Sequence, residues 1–177
     1  MTIQFSIMIG QKKVRQSYMG RNERKKIINQ NVKNKVMGYS HYWYIKKSKR
    51  SRDEVKTDFK NSVERFKTLY ERMKEREKPI ELFSYNGYDE PEITDELISF
   101  NGDATKSLEC ECFEIGVDDF FIEEDFHFCK TEEKPYDFAV CVCLLLFKEA
   151  FPNEFRYISD GGEEKWKPIK EWYENQK

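Results

Sequence analysis

A chain of 177 residues, 38% hydrophobic and 36% charged, is long enough to bury one sizeable core beneath a heavily solvated surface. Its longest apolar run, Phe138 to Phe147, covers about half a membrane span, and the opening MTIQFSIMIG lacks the basic start of an export signal. These features argue against membrane and secreted classes and for a cytoplasmic protein with no membrane partner. The net charge of −2 hides a polarity: residues 1–78 sum to roughly +14 and the remainder to roughly −16. Either the two halves attract each other in the fold, or the basic half touches nucleic acid or a host protein.

Residues 1–36 read as a basic, flexible N-terminal extension. A short alternation (Ile3, Phe5, Ile7, Ile9) that suits an edge strand opens it. The domain proper is expected over 37–177. GYSHYWYIK at 38–46 predicts a strand with Tyr39, His41, Trp43 and Ile45 on one face and Ser40, Tyr42 and Tyr44 on the other. Ser51 and Glu54 have capping-box spacing, and Val55, Phe59, Val63, Phe66, Tyr70 and Met73 recur at helical steps, predicting a helix over 52–77 that Pro79 stops. Strands are predicted at 80–85, 97–101 and 109–115, with an acidic, aromatic loop at 118–125. The next strand, 126–130, sets Phe126 and Phe128 against His127 and Cys129 on opposite faces. A very apolar central helix follows over 135–150, then a strand at 155–159, the turn Asp160-Gly161-Gly162, and an amphipathic helix over 163–175. The expected fold is α+β: a mostly antiparallel β-sheet packed against two or three helices, the central one most buried.

Five cysteines, an odd number without framework spacing, read as reduced thiols. Cys141 and Cys143 diverge on their helix and cannot face one ion, so no metal and no cofactor is expected. The polar residues at the start of the central helix carry more. Lys130 and Lys134 bracket a helix N-terminus, whose free N–H groups favour an anion; Thr131 adds a hydroxyl and Tyr136 a stacking surface. The alternative is that Asp137 caps the helix while the lysines pair with Glu132, Glu133 or Glu111.

MGYSHYW at 37–43, ISFNG at 98–102, ECF at 111–113, FCKT at 128–131, KPYD at 134–137 and SDG at 159–161 together resemble a family of small phage and bacterial proteins usually labelled hypothetical. The resemblance spans Met37 to roughly Trp166 and departs from the family pattern at Cys110. It implies a phage or bacterial origin, with the host cytoplasm as the location if the chain is phage-encoded, and it implies no activity. The candidate ligand-binding residues are His41, Trp43, Asn101, Glu111, Lys130, Thr131, Lys134, Tyr136, Asp137, Ser159 and Asp160, with no catalytic assignment. The leading expectation is a non-enzymatic binder of a small anionic, nucleotide-derived ligand that counteracts host defence. One alternative is a phosphoester hydrolase using Glu111, His41 or Asp160. Another is a nucleic-acid or host-protein binder acting through the basic residues 1–78. The sequence leaves room for an oligomer.

Overall fold

The computed structural model describes residues 38–177, and the extension expected at 1–36, with its edge strand, lies outside the described residues. In chain order the elements are β1 (Ser40–Lys46), α1 (Arg52–Lys74), β2 (Glu92–Thr94), β3 (Leu97–Phe100), β4 (Phe113–Gly116), β5 (Glu124–Lys130), α2 (Asp137–Ala150), β6 (Phe155–Ser159) and α3 (Glu163–Glu174). Short 3-10 turns occupy Ala104–Lys106 and Val117–Phe121. The fold is α+β, with three helices and two antiparallel three-stranded sheets, β5-β1-β6 and β2-β3-β4. A single sheet was the expectation. The sequence shows where strands lie but not which of them pair.

α1 starts where its residues say it should. The Ser51 side chain accepts from the Glu54 N–H and the Glu54 carboxylate accepts from the Ser51 N–H. Val55, Phe59, Val63, Phe66, Leu69 and Met73 form its buried stripe. Its outer cations meet the acidic half of the chain, in the pairs Arg52–Asp118, Lys56–Glu96 and Lys60–Asp95. These pairs are exposed and screened by water, so they show the attraction between halves without carrying the fold. The core is carried by α2. Ala139 through Leu144, Leu146 and Phe147 are all buried, as befits a helix apolar on nearly every side. Phe147 meets the rings of Phe59, Phe151 and Phe155.

In the β5-β1-β6 sheet, β1 is central. Tyr42 lies opposite Phe128 and Ile158, and Trp43 opposite His127 and Tyr157. His41, Trp43, Ile45, Cys129 and Phe155 on the inner side are buried. Tyr42, Tyr44, Phe126, Phe128, Arg156 and Ile158 point to the other side.

Three local expectations are corrected. Residues 80–85 form no strand beyond a single bridge, Phe83 to Asn101. Their N–H groups go elsewhere, Ile80 to Met73 O, Leu82 to the Tyr70 hydroxyl and Ser84 to Asp89 O. The strand expected over 109–115 begins only at Phe113, because the Cys110 N–H and C=O are both bound by the Asn101 side chain. The 118–125 loop instead contains the 3-10 turn and the first residues of β5. Among the described residues, no helix is long and apolar enough to cross a membrane.

Candidate functional site

Four of the quoted motifs converge on one end of the β5-β1-β6 sheet, where β1 begins, β5 and β6 end, and α2 starts. The junction between β5 and α2 is tight. Glu132 and Glu133 both take left-handed φ values, 53° and 57°, a conformation that costs a residue bearing Cβ about 1 kcal/mol or more. It is held by Tyr39 O, which accepts from the Thr131 and Glu132 N–H groups at 2.9 and 3.1 Å. That turn sets Asp137 at the first position of α2, where the helix dipole favours its carboxylate.

Asp137 is the hub. Its Oδ1 lies 2.6 Å from His41 Nε2 and accepts from the Thr131 hydroxyl at 2.5 Å. His41 and Thr131 are fully buried, while the Asp137 side chain is 14% exposed. The imidazole is closed in by the edges of Tyr39 and Trp166, with ring centroids at 5.2 and 5.8 Å. Cys141, one turn along α2, sets its sulfur 3.7 Å from His41 Nε2. Burial and the Asp137 carboxylate push the Cys141 thiol well above its ordinary range, so it is no thiolate nucleophile. Burial likewise raises Cys129 and Cys143. His41, Asp137 and Cys141 could hold a metal ion, their donor atoms lying within 4.8 Å of one another. The carboxylate oxygen nearest the imidazole is already occupied by two hydrogen bonds.

At the margin of this network, Asp160 wraps the start of β1. Its Oδ2 accepts from the Ser40 N–H, and its own N–H donates to Ser40 O, both at 3.0 Å. Burial pushes the Tyr39 phenol up to about 12, although its hydrogen bond with Ser159 acts the other way. Gly161 leaves room for the Tyr39 ring, because a Cβ there would lie 2.1 Å from the phenol oxygen and the ring would have to shift.

The other sequence candidates have structural partners. Lys130 Nζ pairs with Glu132 at 2.6 Å. Lys134 Nζ donates to Ser107 O and Glu109 O at 2.9 and 2.7 Å. Glu111 accepts the Lys130 N–H at 2.8 Å, covering an exposed strand edge. The hydroxyl of buried Tyr136 donates to Glu111 O at 2.8 Å. Asn101 stitches two loops together through Tyr85 O, Gly102 N and both backbone groups of Cys110. Trp43 is a core residue, 1% exposed and packed on Phe113 and His127. Thus His41, Thr131, Asp137, Ser159 and Asp160 are brought together, whereas Trp43 and Asn101 stand apart from them. The sequence candidates do not include Tyr39, Cys141 or Trp166, although strand alternation puts Tyr39 on the face of His41. Cys141 was findable, being four residues from Asp137 on one helix face; the Trp166 contact has no local signal.

The outer side of the same sheet is a second feature. Phe128 is 37% and Ile158 58% exposed, with half-buried Tyr42, Tyr44 and Phe126 between them. The Tyr42 and Phe126 rings are parallel to within 12°, and the Arg156 guanidinium lies 4.5 Å from the centre of the Tyr44 ring. Comparison of the chain with family models, curated proteins and solved structures returns no match.

Proposed function

We propose that this protein binds single-stranded nucleic acid on the outer face of its β5-β1-β6 sheet. The observation that carries the reading is the open surface of the Tyr42, Phe126 and Phe128 rings, continued by the exposed aliphatic side chain of Ile158 and bordered by Arg156 and Lys46. Bases stack on such rings with little regard to sequence, each contributing about 1–3 kcal/mol by alanine substitution. A flat face of three strands suits an extended strand better than a compact molecule, which favours a concave site. The positive charge such a ligand needs stands close in sequence, since residues 1–36 hold nine Lys and Arg against a single Glu and lead directly into β1.

The geometry gives less support to a small anion held at the start of α2. Lys130 is paired with Glu132, Lys134 is bound to backbone carbonyls, and Asp137 already places a negative charge in the first turn of the helix. Hydrolysis is also less supported. Glu111, His41 and Asp160 are each held by a different partner, and His41 has no exposed surface.

The test is fluorescence anisotropy of the full chain with a labelled oligothymidylate, alongside ATP as a mononucleotide arm. Binding should weaken steeply with salt and fall about 5- to 100-fold in Phe128→Ala. ATP binding as tightly as the oligonucleotide would restore the small-ligand reading. Absent oligonucleotide binding at low salt, or affinity untouched by Phe128→Ala, would end the proposal.

A further inference from the structure

The chain has two histidines, and both sit on the inner side of the β5-β1-β6 sheet in different states. His41 is fully buried, with Nε2 bound in the network around Asp137 and Nδ1 facing no hydrogen-bond partner. His127, on the edge strand β5, has its ring plane fixed by Trp43, with centroids 5.4 Å apart and planes 3° from parallel. Its Nε2 is buried and faces two carboxylate oxygens, Asp125 Oδ2 at 3.0 Å and Asp119 Oδ2 at 3.9 Å. Asp125 is close enough to stabilise the protonated ring, yet neither oxygen makes a well-directed hydrogen bond with this buried nitrogen.

The two carboxylates are under-compensated as well. Among the described residues their only ion-pair partner is His127. Asp119 also accepts the Gly116 N–H at 2.7 Å, which fixes its oxygen in place. Burial, and the charges of Asp125 and Glu114 nearby, raise the Asp119 carboxyl. Burial acts to lower the His127 imidazole, but Asp125, Asp119 and Glu114 outweigh it and raise it. Two carboxylates and one imidazole therefore share a space that none of them satisfies alone.

We infer that Asp119, Asp125 and His127 form a site for one divalent transition-metal cation, bound by His127 Nε2 and one oxygen from each aspartate. The three donor atoms lie within 4.8 Å of one another. Neighbouring ligands around a first-row ion with bonds of about 2.0–2.2 Å stand roughly 3–3.5 Å apart. Positions 125 and 127 share one strand face, and the 3-10 turn brings Asp119 to them, so all three donors come from nine consecutive residues, 119–127. Their side chains are 12–22% exposed, which leaves room for water on the remaining positions. One imidazole among oxygen donors selects zinc or manganese over calcium and magnesium, which take oxygen alone.

The experiment uses chelator-stripped full-length protein titrated with zinc chloride, read by calorimetry and by imidazole nitrogen NMR. One equivalent should bind, the His127 Nε2 resonance should move while that of His41 stays, and tenfold excess magnesium should not displace the zinc. Asp125→Asn and Asp119→Asn should each weaken binding at least tenfold. Movement of His41 instead, an unmoved His127, or displacement by magnesium would overturn the site. If the aspartate variants do not fold, the wild-type NMR titration decides by itself.

Discussion

The two faces of the β5-β1-β6 sheet are made by the same three strands and both are rich in aromatic rings, yet one is sealed and the other is not. On the inner face, Trp43, Cys129 and Phe155 are buried, with α2 and the neighbouring rings against them. On the outer face, Phe128 and Ile158 keep 37% and 58% of their surface. Hydrophobicity does not separate the two sets. The difference is what each face meets, so a ring contributes to stability on one side and is available for recognition on the other.

That contrast can be broken by mutation, and the largest effects belong to the inner side. Trp43→Ala should cost about 3–5 kcal/mol in urea denaturation, all of it from lost packing, because its indole nitrogen has no hydrogen bond to lose. Asp137→Ala should cost about 2–5 kcal/mol, since it leaves His41 and Thr131 buried without their common acceptor. A loss below about 1 kcal/mol would show that the network is not a unit. On the outer side the order inverts. Phe128→Ala should lower stability by less than about 1 kcal/mol while removing about 1–3 kcal/mol of oligonucleotide affinity, so equal losses in both measurements would erase the distinction between the faces.

The smallest expected effect is in alkali. Burial holds the folded-state value of Tyr39 at about 12, above the value near 10 for an unfolded tyrosine. Its contribution is therefore complete below pH 10 and disappears as pH climbs from 10 through about 12. Denaturation midpoints should fall less steeply across that window in Tyr39→Phe than in the wild type.

Much of this was legible from residues. The capping box of Ser51 and Glu54, the apolar run of α2 and the alternation through β1 located their elements to within a few positions. The alternation also sorted Tyr42 and Tyr44, and separately Phe126 and Phe128, onto strand faces. That these are the same face depends on the register of Tyr42 against Phe128, which no local pattern encodes. β2 went unrecognised because EIT lies in an acidic stretch. The structure supplies the counter-charges from another element, Lys60 to Asp95 and Lys56 to Glu96. At the candidate site, the polar helix start was visible in Thr131 and Asp137. The fate of Lys134 was not, because its partners are carbonyls of a loop about 25 residues away in sequence.

The position of β1 has a consequence for synthesis. It is the first described strand to leave the ribosome, and its partners, reaching Cys129 on one side and Ser159 on the other, follow much later. At about 5–20 residues per second, β1 waits roughly 6–24 s for its second neighbour. Until β5 emerges, Trp43, Ile45 and two open strand edges are available to any passing chain, and one edge stays open from then until β6 arrives. Any truncation before β6 leaves the central strand with one open side. A nascent-chain pulldown should therefore capture chaperones on β1 until β6 has emerged, and release them when it does.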